Sequence, residues 1–295
     1  MDIKNYFQEK ISLINGQLDL LLPGSEEKPE ILHKAMRYSV FAGGKRLRPV
    51  LFLATLEALD HQEDKFLPFA CALELIHTYS LIHDDLPALD NDDYRRGLPT
   101  CHKKFGEAQA ILAGDALLTY AFNLMLMVKN TDTAPNYILE AIDEVTSLAG
   151  LKGMIVGQVV DLESENKEIC LEELKYIHRN KTGALIRAAV RSAAILSGSD
   201  KNVLEKLTGY AENLGLAFQI TDDILDVIGD EKKLGKPVGI DQKKLKATYP
   251  SLLGIEKSQD LAKEAVDKAL WFLSDLSESA EPLREIGKMV LSRES

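Results

Sequence analysis

Apolar residues recur every three to four positions along almost the whole chain, and that period fits α-helix and little else. The segments 30–42, 65–83, 107–128, 134–149, 171–198, 201–228 and 258–277 all carry it. In the first, Ile31, Leu32, Ala35, Met36, Ser39 and Val40 share a face, and Gly43-Gly44 forms a stop. In 201–228 the same spacing joins Leu204, Leu207, Thr208, Ala211, Leu214 and Gly215, with Asp200 in the N-cap position. No convincing run of alternating strands and no β-hairpin signal interrupts the pattern. The expected fold is all-α, a bundle of about ten or more helices. Breaks fall at 22–29, 43–49, 87–101, 129–135 and 229–250, and none is long or biased enough to be an interdomain linker. No repeat of solenoid period appears. A single domain over 1–295 is expected.

The 295 residues are 45% hydrophobic and 27% charged, enough to bury a sizeable core. The net charge of −11 disfavours nucleic acid and anionic membrane as partners, but leaves room for a local basic pocket. Cys71, Cys101 and Cys170 cannot all pair and show no zinc spacing, so reduced thiols and a cytoplasmic location are expected. The polar, mixed-charge segment 1–10 does not read as a signal peptide. The most apolar stretch, 110–128, contains Asp115 and Asn123 and reads as a buried helix, not a membrane span.

Two acidic segments stand out. Asp84-Asp85-Leu86-Pro87-Ala88-Leu89-Asp90 and Asp222-Asp223-Ile224-Leu225-Asp226 each continue a strongly apolar helix. Asp222 and Asp226 are one turn apart on one face, where like charges repel. Carboxylates beside a core are costly unless a cation neutralises them, and an all-oxygen donor set suits Mg²⁺. Pro87 makes regular helix past Asp84 and Asp85 unfavourable, so these two fall in the last turn and Asp90 returns from the loop. His77 lies two turns before Asp84 on nearly the same face. His83-Asp84 matches the metal-binding dipeptide of HD phosphohydrolases, but no second His/Asp set completes that site.

Basic groups punctuate the same regions. Gly43-Gly44-Lys45-Arg46-Leu47-Arg48-Pro49 joins a flexible turn to three cations, and Arg95-Arg96-Gly97 follows the first acidic segment. Lys181-Thr182-Gly183 interrupts the helix 171–198, while Lys236 and Lys246 follow the second acidic segment. Arginine matches phosphate oxygens bidentately and lysine acts as a point charge. Acidic and basic clusters together suit a metal–diphosphate site. Lys45, Arg48, Arg95 and Arg96 are the strongest candidates, whereas Lys243 and Lys244 read as solvated surface charges.

From about residue 30 onward these segments, with Gly157-Gln158-Val159-Val160-Asp161 and 218–226, resemble the trans-prenyltransferase (polyprenyl diphosphate synthase) family. The likeness is strongest to its bacterial farnesyl diphosphate synthases. The resemblance implies antiparallel helices around a deep cavity, usually in a homodimer. It implies condensation of isopentenyl diphosphate with dimethylallyl and then geranyl diphosphate, using three Mg²⁺ per site. By the family pattern Asp84 and Asp90 bind two ions with Asp85 supporting, and Asp222 binds the third with Asp226 nearby. Arg95, Lys181, Lys236 and Lys246 hold the allylic diphosphate. Gly44, Lys45, Arg48, His77 and Arg96 hold isopentenyl diphosphate. Thr182 and Gln219 face the developing cation. Ionisation of the allylic C–O bond gives a carbocation and a diphosphate, and metals and fixed cations stabilise the latter. The double bond of the second substrate attacks, and the departing diphosphate can take the proton, so neither His83 nor His102 is assigned as a base. Gln158 and Asp161, at i and i+3, are further candidates for the cavity wall. Where the family usually carries Leu-Gly-Lys, this chain has Lys244-Leu245-Lys246, and Leu245 restricts a loop that glycine would leave free.

Tyr79 and Ser80 are five and four positions before Asp84, and Tyr79 lies about 7.5 Å along the axis from it. A ring there can floor the tail pocket. In the family, an aromatic at that position with two extra residues in the first acidic motif resembles C15 producers, and smaller side chains resemble C20 producers. A geranylgeranyl diphosphate synthase, a non-catalytic partner subunit and a metal-dependent phosphohydrolase are the alternatives.

Overall fold

The computed structural model describes residues 1–130, 132–228 and 247–292. Among these the fold is helical nearly throughout, with more than ten α-helices. In chain order they are α1 (Ile3–Leu21), α2 (Glu30–Val40), α3 (Leu47–Ala58), α4 (Leu67–Asp84), α5 (Cys101–Phe105), α6 (Glu107–Leu126), α7 (Pro135–Ala149), α8 (Met154–Glu163), α9 (Leu171–Lys181), α10 (Gly183–Leu196), α11 (Lys201–Ile228), α12 (Tyr249–Leu253), α13 (Ile255–Phe272) and α14 (Glu281–Leu291). All seven periodic segments are helical over most of their length. The segment 171–198 is two helices, broken at Thr182. Helices α1, α3, α5, α8, α12 and α14 lie outside those segments; α3 and α8 are apolar on most sides and present no clear stripe, and α5 and α12 are only five residues long.

One expectation is corrected. A minimal hairpin does exist, β1 (Tyr94–Arg95) against β2 (Leu98–Pro99), antiparallel with Arg95 opposite Leu98. Its two-residue turn is Arg96-Gly97, with φ of 54° and 76°. Positive φ at both central residues is the hairpin-favouring turn geometry. Arginine is a poor sequence signal for it, and two-residue strands leave no alternation to detect.

The chain forms two compact units, an N-terminal one (Lys4–Leu53 with Gln62–Ile138) and a C-terminal one (Met1–Ile3 and Ala54–His61 with Leu139–Ser295). In the N-terminal unit α4 is apolar all round over its first half, so it is buried all round: Leu67, Phe69, Ala70, Cys71, Ala72, Leu73, Leu75 and Ile76 are all in the core. Phe69 stacks on Phe52 of α3, ring centroids 5.2 Å apart. The exception in this run is Glu74. Its carboxylate meets Arg46 at 2.7 Å, with both side chains 2% exposed. The Arg46 guanidinium also donates to the Val40 carbonyl at 2.6 Å and to Asn15 Oδ1 at 3.0 Å.

Helix α6 turns Ala110, Ala113, Gly114, Leu117, Ala121 and Leu124 inward. A Cβ at Gly114 would lie 2.9 Å or less from three atoms of the His83 imidazole on α4. Glycine inside a helix costs about 0.5–1 kcal/mol relative to alanine, and here the missing methyl makes room for that ring. The 110–128 stretch is buried on one face only, since Ile111, Leu112, Leu126 and Met127 are exposed. By length and composition, three segments of the described residues are apolar enough to cross a membrane: Asp64–Asp84, Glu107–Lys129 and Pro135–Glu163.

In the C-terminal unit α11 is the long central element. Leu174 of α9, Ile220 and Ile224 of α11, Tyr249 of α12 and Ala262 of α13 make one apolar cluster. Asp200 caps α11 as anticipated, its Oδ1 accepting from the Val203 N–H at 2.9 Å. Arg191 holds Glu144 through two bonds of 2.6 and 3.0 Å. Helix α8 meets α9 at Gly157, where a Cβ would sit 2.7 Å from the Lys181 Cα.

Breaking a buried ion pair leaves an uncompensated charge, at a cost of about 3–5 kcal/mol. Arg46→Ala should therefore lower the unfolding free energy by about that amount, read from urea midpoints with the slope unchanged. A loss within error of zero would mean that the pair contributes nothing to stability.

Candidate active site

Helix α4 ends where the sequence places Pro87. The chain then doubles back: the Asp90 N–H donates to the Asp84 carbonyl at 2.9 Å, and the Asn91 N–H to the Leu86 carbonyl at 3.1 Å. Asp84 and Asp90 are thereby brought to one end of the helix, both half-buried. Asp85 points inward and is 3% exposed. Arg95 grips it, Nε donating to both carboxylate oxygens at 2.9 and 3.0 Å and Nη2 to one of them at 2.6 Å. Burial raises the Asp85 carboxyl above its ordinary range, against the pull of Arg95.

The hairpin sets Arg95 on β1 and Arg96 at the turn. Arg96 donates to the Gly43 carbonyl, and its guanidinium lies where a Cβ on Gly44 would stand, 2.6 Å away. Gly44 also has φ of 121°, a conformation that residues with a side chain rarely adopt, and this favours glycine here. Lys45 is exposed on the neighbouring segment and Arg48 is half-buried in the first turn of α3. His77 is held neutral, its pKa pushed well below the ordinary imidazole value by burial and then by Arg48, Arg96, Arg95 and Arg46. Four guanidinium groups act on this ring, although Arg46 is paired with Glu74 and Arg95 with Asp85, which offsets part of their field. Two positions along α4, Tyr79 is 6% exposed. Ser80 turns its hydroxyl back to the His77 carbonyl at 2.9 Å.

In the C-terminal unit a cavity of about 140 Å³ is lined by Asp161, His178, Lys181, Thr182, Gln219 and Asp223, among others. Lys181 Nζ donates to Asp161 at 2.8 Å. Asp223 is 3% exposed and accepts from Gln219 Nε2 at 2.9 Å and from the Tyr249 backbone N–H at 3.0 Å. An ionised carboxylate only accepts, so Gln219 must present its NH₂ to Asp223 and turn its carbonyl oxygen elsewhere. Burial lowers the His178 pKa to about 4. His178 Nδ1 and Gln158 Nε2 are buried without a hydrogen-bond partner among the described residues. Asp222 is half-buried and Asp226 buried, one turn apart on α11 as the spacing required.

Within the N-terminal unit the structure thus gathers Asp84, Asp85, Asp90 and Arg95 into one loop system, and places the charges of Arg48, Arg95 and Arg96 on His77. Within the C-terminal unit it gathers Lys181, Thr182, Asp161 and Gln219. Lys236 and Lys246 lie outside the described residues. Sequence reasoning missed the pairing of Arg46 with Glu74, the anchoring part of Asp223, and His178. The signal for the first was present: one carboxylate inside the apolar run 67–76 requires a buried cation.

The donor set bears on metal binding. Among the described residues no group of three or more His, Cys, Asp or Glu side chains stands ready to hold a metal ion. Mg²⁺ does not need one. It keeps several waters and binds through one or two carboxylates plus substrate phosphates. Asp84 with Asp90, and Asp222 with Asp226, supply such all-oxygen pairs, so the residues fit this ion in the presence of a diphosphate.

Residues 29–281 match the polyprenyl synthetase family. A farnesyl diphosphate synthase of Geobacillus stearothermophilus is 48% identical over 91% of this chain and 90% of its own length. A geranylgeranyl diphosphate synthase of Cyanophora paradoxa is 44% identical over 99% and 97%. The crystal structure of a geranyltransferase from Helicobacter pylori complexed with magnesium and isoprenyl diphosphate superposes with a TM-score of 0.84 at 35% identity, covering 99% of this chain and 97% of that one. A match spanning most of the sequence, with the acidic and basic segments inside it, settles the classification: the chain belongs to the polyprenyl synthetase family.

Proposed function

We propose that this protein is a prenyltransferase that condenses isopentenyl diphosphate with dimethylallyl and then geranyl diphosphate to give farnesyl diphosphate. The observation that carries this reading is the Asp84–Asp90 turn at the end of α4, with Arg95 gripping Asp85 beside it and Arg96 donating to the Gly43 carbonyl next to the Lys45–Arg48 segment. A cation cluster with an acidic turn on one helix suits a diphosphate substrate.

Each residue then has a task. Lys45, Arg48, His77 and Arg96 hold isopentenyl diphosphate, with Gly44 letting the Arg96 guanidinium sit against the backbone. Arg95 and Lys181, with Lys236 and Lys246, hold the allylic diphosphate. Asp161 keeps the Lys181 ammonium in place. Asp84 and Asp90, with Asp85 anchored behind them, and Asp222 with Asp226 are assigned to three Mg²⁺, which neutralise the leaving diphosphate. The Gln219 carbonyl oxygen and the Thr182 hydroxyl face the allylic cation and stabilise it as dipoles, without trapping it covalently. The diphosphate released on ionisation takes the proton lost at the end. His178, held neutral, needs no part in that transfer. The whole of 1–295 acts as one catalytic domain in a cytoplasmic homodimer. The exposed Ile111, Leu112 and Leu126 of α6 suit a second copy better than water.

Buried Tyr79 floors the tail pocket and favours C15. The Cyanophora relative at 44% identity favours a C20 product as the second reading. Intact acidic motifs speak against a non-catalytic subunit.

Purified protein given dimethylallyl and isopentenyl diphosphates with Mg²⁺ should yield farnesyl diphosphate and inorganic diphosphate, and chelation should abolish both. Release of monophosphate with no chain elongation would reject the reading in favour of a phosphohydrolase. Asp84→Ala and Asp222→Ala should each cut turnover by orders of magnitude while circular dichroism stays native, and near-normal rates across a Mg²⁺ titration would remove these residues from metal binding. Tyr79→Ala should shift the product beyond C15. C15 alone at undiminished rate would show that the floor lies elsewhere. A bound diphosphate would reverse the field on His77 and raise its pKa, so isopentenyl diphosphate binding should take up a proton, and lower pH should strengthen this contribution. Calorimetry in buffers of different ionisation enthalpy measures that uptake, which His77→Gln should reduce.

A further inference from the structure

Three observations meet on His83, a residue with no part in the chemistry above. Its ring stands edge-on to Tyr79, one turn earlier on α4, with centroids 5.7 Å apart and planes at 84°. Its Nε2 lies 3.1 Å from the Ile111 carbonyl of α6. A carbonyl only accepts, so Nε2 carries the proton and donates. The third observation is Gly114, one turn along α6, whose missing Cβ leaves the space that the imidazole fills. Asp115 Oδ1 stands 3.9 Å from the same nitrogen.

The ring is therefore fixed from two directions. It is anchored at its Nε2 corner by α6 and presents its flank to the tyrosine. Edge-to-face pairs prefer this arrangement. A tyrosine ring otherwise has freedom about χ1 and χ2, and a ring that swings aside no longer limits the length of a tail. Burial of Tyr79 restrains it in part, and the imidazole closes the side towards Asp84. Glycine in the middle of α6 is unfavourable for the helix itself, and the clearance it gives His83 accounts for its presence.

We infer that His83 and Gly114 are positioning residues for product length: Gly114 admits the His83 ring between α4 and α6, and His83 holds Tyr79 across the tail pocket. This rests on the proposal that Tyr79 is the floor. Substitution at Gly114, which touches neither substrate nor metal in that proposal, should lengthen the product.

The test is the product distribution of wild type, Gly114→Ala, His83→Gln, Tyr79→Ala and the double variant Tyr79→Ala/Gly114→Ala, at matched substrate ratios and conversion. Gly114→Ala displaces the ring, whereas His83→Gln keeps a donor for the Ile111 carbonyl and removes the ring from Tyr79. Both are expected to raise the C20-to-C15 ratio several-fold. Acting through Tyr79, Gly114→Ala should add little in the Tyr79→Ala background. If Gly114→Ala does not fold, His83→Gln decides alone, because its side chain is partly solvent-exposed. Unchanged C15 from both single variants, with Tyr79→Ala releasing longer products, would overturn the positioning role and leave the floor intact. An equal rise from Gly114→Ala with and without Tyr79 would overturn it too. C15 alone from Tyr79→Ala would instead overturn the floor itself.

Discussion

The ion pair between Glu74 and Arg46 is the constraint on which the N-terminal unit depends. Helix α4 is apolar enough to be a core element on every side, and a lone carboxylate inside it is unsustainable without a cation of equal burial. Arg46 meets that need with both side chains 2% exposed. In doing so it draws the 43–48 segment against α4, and the charges of Arg48 and Arg96 then act on His77 of the same helix. Arginine suits the task better than lysine, because its fork also reaches Val40 and Asn15. The cluster that suits a diphosphate is thus a consequence of how a buried helix satisfies one charge.

The two acidic motifs solve one problem in the same way. Each contains adjacent aspartates, and in each the second of the adjacent pair is spent on the protein. Asp85 is held by Arg95, and Asp223 by Gln219 and the Tyr249 N–H. Both are 3% exposed. Each carboxylate fixed this way stands next to a half-buried neighbour, Asp84 or Asp222. On the proposed function, this arrangement would order the neighbouring carboxylates in advance and so lower the cost of assembling them around Mg²⁺.

What could be read from the sequence follows from the range of the interactions involved. Helices with a clear apolar stripe were legible because periodicity is local, and the halt at Pro87 and the return of Asp90 followed from proline sterics. The break at Thr182 was visible as Lys181-Thr182-Gly183. Helices α3 and α8 were not, because both are apolar on most sides and an element of that kind shows no stripe, although α8 leaves Ile155 and Val159 exposed. The Arg96-Gly97 turn was hidden for a different reason: a non-glycine residue at φ of 54° is selected by its surroundings and not by its own preference. Asp223 illustrates the third limit. Its partners are a side chain one turn away and a backbone N–H from α12, and no pattern within α11 announces the second.

The net charge of −11 gains meaning from this division of tasks. Spread evenly, such a surplus would repel a diphosphate. Here it is not even. On the proposed function, the arginines near His77 would take up an anion directly, while Asp84, Asp90, Asp222 and Asp226 would do so only through divalent cations. The reaction proposed separates a diphosphate from a carbocation, and the two products need opposite surroundings. The first is favoured by fixed positive charge. The second is favoured by dipoles such as the Gln219 carbonyl oxygen, which can stabilise a cation and still release it. The Lys181 ammonium is tethered by Asp161 and the Gln219 amide is turned by Asp223, so a carboxylate fixes the orientation of each group that the proposed reaction would use.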